Sequence, residues 1–175
     1  SCYVPSWVKR GFGTDFDLAR NSDGNVTEIM SAFSERNVQA DAKAFAMFMK
    51  YLKKADGDEG TVIMVQVENE IGMLGDARDH GTLAQNAYNS PVPYDMIYLL
   101  TSGKAGDHVT STWKSAGGLT SGSWKEVFGS GIDADELFMA YWYAKYTEKV
   151  AAAGKKEYRI PMFVNTALNS RGRKA

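Results

Sequence analysis

The chain has 175 residues, of which 44% are hydrophobic, and its formal net charge is -1. This length and composition fit one globular domain, residues 1–175, with a single core. The basic residues are scattered apart from the final RGRKA, so nucleic acid and anionic membrane surfaces are not expected as partners. No stretch approaches the roughly 20 apolar residues of a membrane span, and the histidines lack further ligands at metal-binding spacing. We therefore expect no membrane span, no metal and no cofactor.

The first third of the chain predicts a loop, a helix and a strand. Residues 1–33 are interpreted as an ordered loop that ends in a turn at RNSDGN. A helix is predicted from an N-cap at Ser34 to about Lys54, and its apolar stripe consists of Val38, Ala42, Phe45, Met49 and Leu52. A strand then begins at Thr61.

The rest of the chain predicts a long excursion, a second helix and a second strand. The excursion covers residues 72–133 and is rich in Gly, Ser, Asn and Asp; short helices are predicted near 94–100 and 123–128. The second helix is predicted to open at Asp133 and to close at Gly154, and the second strand covers residues 160–164.

Polar residues follow both predicted strands. The first reads VIMVQVENEIG, an apolar run that ends in Glu68, Asn69 and Glu70, and the second ends in Asn165. Sealing two carboxylates inside the protein would cost several kcal/mol each, so this end should open onto a polar cleft. Strands that alternate with helices indicate parallel pairing. The fold class is therefore α/β, either a small open sheet or a central piece of a (β/α)8 barrel, which typically needs about 250 residues.

The motif VIMVQVENEIG resembles the fourth-strand signature of glycoside hydrolase family 35, the β-galactosidases. The segments YVPSWVKR, GMLGDARD, SWKEVFG, FMAYWYAKYTEKVAAAGK and PMFVNTALN resemble a bacterial branch of the same family, so the similarity covers essentially the whole chain. The resemblance implies a partial (β/α)8 barrel that extends from the loop after strand 3 through strand 5. It also implies that the remaining segments of that barrel are partners of this one.

The resemblance implies an enzyme, a retaining glycoside hydrolase that removes terminal β-linked galactose from a galactoside or a galactose-bearing oligosaccharide. Glu70 would be its catalytic acid/base and Asn69 would hold a sugar hydroxyl. The family's nucleophilic glutamate lies on a later strand, so it is expected outside this chain. The resemblance also suggests a periplasmic or secreted location.

A retaining glycosidase needs two carboxyl groups about 5–5.5 Å apart, one to attack the anomeric carbon and one to protonate the departing oxygen. Strand alternation assigns Glu68 and Glu70 to one face, which the barrel interpretation turns inward, with Glu68 one layer below in a supporting role. Alternation would turn Asn69 outward, so its sugar contact requires an irregular strand end.

For the remaining candidate residues, a structural role is at least as simple an interpretation as a functional one. Trp7 forms either a sugar-stacking wall or a loop plug, and Asn165 could bind a hydroxyl. Asp76, Arg78 and Asp79 reach substrate or, more simply, form a local ion-pair cluster. The whole chain has alternatives as well, namely a catalytically incomplete carbohydrate-binding fragment or a structural α/β domain in which the glutamates only pair with basic residues.

Overall fold

The computed structural model describes residues 4–10, 15–73 and 75–165. In these residues the chain forms helices and short strands in the order α1 (Ser6–Arg10), β1 (Leu18–Arg20), β2 (Val26–Met30), α2 (Glu35–Asp56), β3 (Val65–Gln66), α3 (Thr82–Asn89), α4 (Tyr94–Thr101), α5 (Asp107–Ser115), α6 (Trp124–Phe128), α7 (Ile132–Glu157) and β4 (Met162–Phe163). None of these helices is long and apolar enough to cross a membrane.

The predicted partial (β/α)8 barrel is wrong. The described residues contain four short strands in two separate sheets of two strands each, β1 with β2 and β3 with β4. Ile63 and Met64, which the sequence placed in the first long strand, are 71% and 49% exposed and lie outside β3. Strands of two residues form too small a sheet to supply a core, and the core comes instead from packed helices. The fold is a small α/β domain.

The parallel pairing of the two predicted strands is confirmed. Val65 lies opposite Met162 and Gln66 opposite Phe163, and the Val67 N–H donates to the Phe163 carbonyl at 2.8 Å. Helix α7 covers one face of this pair, where Val67 packs in one buried cluster with Tyr146 and Val150 of α7 and Val38 of α2. The polar ends of the two strands therefore lie side by side.

Helices α2 and α7 pack closely because a glycine lies between them. A Cβ on Gly154 would overlap the Phe45 ring and would stand 3.0 Å from Met49 Cγ. Gly154 thus lies inside α7 as a contact point, and the prediction that it closes the helix is wrong. The helix begins at Ile132 after Gly131 rather than at Asp133.

The entry to α2 also differs from the prediction. Ser34 occupies the N-cap position, but its side chain does not cap the helix. Its hydroxyl instead donates to Asp17 Oδ2 at 2.6 Å, which ties the start of α2 to the residues before β1. The segment predicted as a loop contains the antiparallel pair β1–β2 around the predicted turn, where the Asn21 N–H donates to the Asn25 carbonyl at 2.9 Å.

The long excursion is mostly helical. The two predicted helices are confirmed as α4 and α6, and Ser123 and Glu126 form the expected capping box of α6. Helices α3 and α5 were not predicted. The excursion packs on the first half of α7 through Trp124 and Phe138, both 0% exposed and in edge-to-face contact with ring centroids 5.3 Å apart. The excursion therefore supplies a large part of the core.

Candidate functional site

The end of β3 departs from regular strand geometry at two glutamates. Val67 is fully buried, and the next residues turn sharply because Glu68 has a φ of 59° and Glu70 a φ of 47°. They are the non-glycine residues with positive φ in the described part of the chain. Such a conformation is uncommon for residues with a Cβ and is often found at functional sites. It provides the irregular strand end that a site at Asn69 requires.

Side-chain amides fix this turn. The Glu70 N–H donates to Asn165 Oδ1 at 3.0 Å, and Asn165 Nδ2 donates to Asn69 Oδ1 at 3.3 Å. Gln66 Nε2 donates to the same Asn69 oxygen at 3.0 Å and to the Glu68 carbonyl at 2.9 Å. We call Gln66, Asn69, Glu70 and Asn165 the amide corner. Its hydrogen bonds join the ends of β3 and β4 and hold the Glu70 backbone, while the residue itself is exposed.

Glu68 points to a different environment from Glu70. It is partly buried and lines a small cavity of about 60 Å³ with Asp41 and Tyr146. Burial, followed by the hydrogen bond and the negative charge of Asp41, raises the pKa of Glu68 to about 7. The Tyr146 hydroxyl donates to Asp41 Oδ2 at 2.9 Å. Glu68 and Asp41 therefore form a carboxyl pair, in which the protonated form of Glu68 is favoured.

The structure brings together three of the four site residues named from the sequence. Asn69, Glu70 and Asn165 are joined by hydrogen bonds in the amide corner. Trp7 has an aromatic neighbour elsewhere: its ring meets Phe16 edge-on with centroids 6.0 Å apart, and the residue is 60% exposed. Its described contacts thus associate it with the segment before β1.

The described contacts of Asp76, Arg78 and Asp79 are structural, but the three do not form the predicted ion-pair cluster. Asp76 pairs with His80 at 3.6 Å and Arg78 Nε pairs with Asp135 at 3.1 Å. Asp79 is 1% exposed and accepts hydrogen bonds from the Ser31 hydroxyl at 2.7 Å and from the Gly81 N–H at 2.7 Å. Through these bonds, Asp79 connects the excursion to Ser31, directly after β2, and Arg78 connects it to α7.

Asp41 and Tyr146 are the members of the site region that the sequence did not reveal. Asp41 lies on α2 beside the apolar stripe. Its acidic side chain next to that stripe was the only feature of the sequence that could have indicated a role. Its pairing with Glu68 joins α2 to the end of β3, and Tyr146 reaches both from α7. No local pattern encodes a contact between residues this far apart in the chain, so the carboxyl pair depends on tertiary structure.

The site residues supply carboxyl and amide groups. In residues 4–10, 15–73 and 75–165, no three His, Cys, Asp or Glu side chains are grouped so that they could hold a metal ion. The available chemistry comes from two glutamate carboxyls in unlike environments and from the amides of Asn69 and Asn165, which can donate to and accept from sugar hydroxyls.

No protein-family model and no curated protein matches this chain.

Proposed function

We propose that the amide corner is the acid/base half of a retaining glycoside hydrolase site, with Glu70 as the proton donor. The observation that supports it best is the way Glu70 is held: the backbone is fixed by Asn165 while the side chain stays exposed at the end of a buried strand. A general acid needs this combination, because its position must be defined and its carboxyl must be able to reach the substrate.

The proposed reaction has two steps. Glu70 gives its proton to the glycosidic oxygen while a second carboxylate attacks the anomeric carbon, and the aglycone leaves as an alcohol. The Glu70 carboxylate then takes a proton from water, whose oxygen attacks the same carbon and releases the sugar with retained configuration. Asn69 and Asn165 bind sugar hydroxyls beside the reacting bond. The substrate suggested by the resemblance is a terminal β-linked galactose.

Glu68 is not the second carboxylate in this proposal. Its carboxyl is hydrogen-bonded to Asp41 and its pKa is raised to about 7, whereas a nucleophile must be ionised and about 5–5.5 Å from the acid. The resemblance implies that the nucleophile lies on a later strand, so in this proposal it is supplied by polypeptide other than this chain. It follows that the 175 residues alone should bind a galactoside without hydrolysing it.

Binding to the chain tests the acid/base half by itself. The probe is 1-deoxygalactonojirimycin, a cationic galactose mimic, and binding is followed by the amide NMR shifts of residues 69–72 and 163–165. We expect Glu70→Gln to weaken binding roughly tenfold, because the charge-assisted hydrogen bond is lost. Glu59→Gln, at an exposed glutamate after α2, is the matched control and should leave binding unchanged.

Two results would overturn the proposal. One is the absence of shifts at the amide corner, and the other is equal binding of the glucose-configured epimer, 1-deoxynojirimycin. Turnover of a chromogenic β-galactoside by the pure chain would contradict only one part of the proposal, namely that the nucleophile is supplied by another polypeptide.

A chemical rescue experiment tests the role of Glu70 when the nucleophile-bearing polypeptide is present. Glu70→Gln should abolish hydrolysis of substrates with poor leaving groups, while aryl galactosides with good leaving groups should still form the covalent intermediate. Azide attacks without base assistance, so it should restore turnover and yield a β-galactosyl azide. Rescue of Glu68→Gln in place of Glu70→Gln would reassign the acid/base to Glu68.

A further inference from the structure

Glu68 lies at the start of the turn that leads to Glu70, and it is held from two directions. Its backbone has a φ of 59°, and its carbonyl accepts a hydrogen bond from Gln66 Nε2 at 2.9 Å. Its side chain lines the cavity of about 60 Å³ together with Asp41 and Tyr146, whereas Glu70 is exposed. The side chain of Glu68 therefore connects the turn to the interior of the protein.

Asp41 is a fixed hydrogen-bond acceptor at the inner end of this connection. It lies on α2 and accepts the hydroxyl of Tyr146, a residue of α7 that is 9% exposed, at 2.9 Å. Burial, followed by the negative charge of Asp41, raises the pKa of Tyr146, so this hydroxyl keeps its proton and remains a donor. Asp41 is thus anchored to both long helices of the fold.

Two carboxyl groups can share a hydrogen bond only when one of them carries a proton. Burial, followed by the hydrogen bond and the charge of Asp41, raises the pKa of Glu68 to about 7, so Glu68 is the donor and Asp41 the acceptor. The other walls of the cavity bring no further carboxyl or basic group: β2 and the residues after it contribute Ile29, Met30 and Ala32, and α7 contributes Tyr143.

We infer that the hydrogen bond from Glu68 to Asp41 positions Glu70, because it holds the backbone of the turn that carries Glu70. The inference rests on the proposed function, in which Glu70 is the proton donor. Positive φ is uncommon for residues with a Cβ and persists where surrounding contacts fix it. Asp41 fixes the side chain at the start of the turn, and Asn165 fixes the Glu70 N–H at its end. Glu68 is therefore a positioning residue and not a catalytic one.

The inference gives a reason for a carboxyl group in the cavity. Methionine has a similar length and would fill the space without burying a polar group, but it would leave residue 68 without its bond to α2. Glutamine would keep that bond, because its amide N–H can donate to Asp41 as the protonated Glu68 does. Glu68→Gln and Glu68→Met therefore differ mainly in the hydrogen bond to Asp41.

Amide hydrogen exchange of the purified chain, followed by NMR at about pH 6 where Glu68 is protonated, tests the inference. The reporter is the Glu70 N–H, which donates to Asn165, and the reference is the Val67 N–H, which donates to the Phe163 carbonyl. We expect Glu68→Met to raise the exchange rate at Glu70 roughly tenfold or more and to leave Val67 unchanged. Glu68→Gln should exchange like the wild type.

A second variant removes the same hydrogen bond from the side of α2. Asp41→Ala should accelerate exchange at Glu70 as Glu68→Met does, and it replaces Glu68→Met if that variant does not fold, as judged by circular dichroism. Glu59→Met, at an exposed glutamate after α2, is the control and should change nothing. Unchanged exchange at Glu70 in the folded variants, or equally fast exchange in Glu68→Gln and Glu68→Met, would overturn the inference.

Binding of 1-deoxygalactonojirimycin separates a failure of this inference from a failure of the proposed function. Glu68→Met should weaken binding roughly tenfold because Glu70 is no longer held in place, and Glu68→Gln should not. Weaker binding in Glu68→Gln as well would overturn the inference, because Glu68 would then act on the ligand directly. A wild-type chain that does not bind the probe, with exchange rates as expected, would overturn the proposed function but support the role of Glu68 in holding the turn.

Discussion

The two sides of helix α7 differ in how completely they are covered. Toward α2 and the excursion, Phe138 and Val150 are 0% and 1% exposed and every turn of the helix has a neighbour. Toward β4, Ala140 and Ala144 remain exposed along an open groove. The covered side therefore supplies most of the buried core, whereas the neighbouring strand ends hold the exposed residues of the candidate site.

The largest effect is expected on the covered side. Trp124→Ala removes a ring that is 0% exposed and stacks on Phe128 with centroids 5.5 Å apart. We expect the free energy of unfolding to fall by about 3–5 kcal/mol, measured by urea denaturation. Trp7→Ala, at a tryptophan that is 60% exposed, should change it by at most about 0.5 kcal/mol. Equal losses would show that burial on the covered side of α7 contributes no more to stability than an exposed ring elsewhere does.

A smaller loss is expected where α2 meets α7. Gly154→Ala introduces a Cβ against Phe45 and Met49, so the helices must separate, and overpacking of this kind costs about 1–3 kcal/mol. Alanine has a higher helix preference than glycine, which alone would stabilise the variant by about 1 kcal/mol. A net loss of unfolding free energy would therefore come from the steric conflict with Phe45 and Met49. Gly106→Ala, at the N-cap of α5 where a Cβ would meet nothing within 4 Å, is the control for adding a methyl group without a steric conflict. Stabilisation by Gly154→Ala would contradict the close packing.

Gly154 illustrates which parts of the fold the sequence could predict. A glycine after VAAA fits a helix end, and only the position of the Phe45 ring shows that it is a helix contact instead. The apolar stripe of α2 was predictable because residues 38, 42, 45 and 49 follow a local period, and Val38 and Met49 are indeed buried. The barrel prediction was wrong because the order of helices and strands along a chain does not determine how many strands pair.

The same distinction applies to the candidate site. The proximity of Asn165 to Asn69 and Glu70 followed from parallel pairing, since parallel strands place their carboxyl ends at one edge. The unlike environments of Glu68 and Glu70 did not follow from alternation, because positive φ at both residues interrupts it. Asp41, which changes the chemistry of Glu68, is brought there by α2.

The carboxyl pair predicts a pH dependence of stability. The pKa of Glu68 is about 7 in the folded protein, above its ordinary value of 4.5, so between these values the folded state binds more protons than the unfolded state. The free energy of unfolding should therefore fall as the pH rises through this window, by roughly 2 kcal/mol, and level off above it. Glu68→Gln should reduce this decline, and Glu59→Gln should not. A decline that persists in Glu68→Gln would contradict the assignment.

The smallest effect concerns the backbone at the amide corner. Glu70 has a φ of 47°, a conformation that costs a residue with a Cβ about 1 kcal/mol and costs glycine little. Both Glu70→Gly and Glu70→Ala remove the carboxyl, so their difference isolates the backbone, and we expect the glycine variant to be more stable by about 1 kcal/mol. The same two substitutions at Glu148, inside α7, should give the opposite order by about 1 kcal/mol, because glycine destabilises a helix.

Thermal denaturation of the four variants measures both differences. If the alanine variant is the more stable one at both positions, the backbone at Glu70 is not strained. The amide corner and α7 would then not differ in backbone energy.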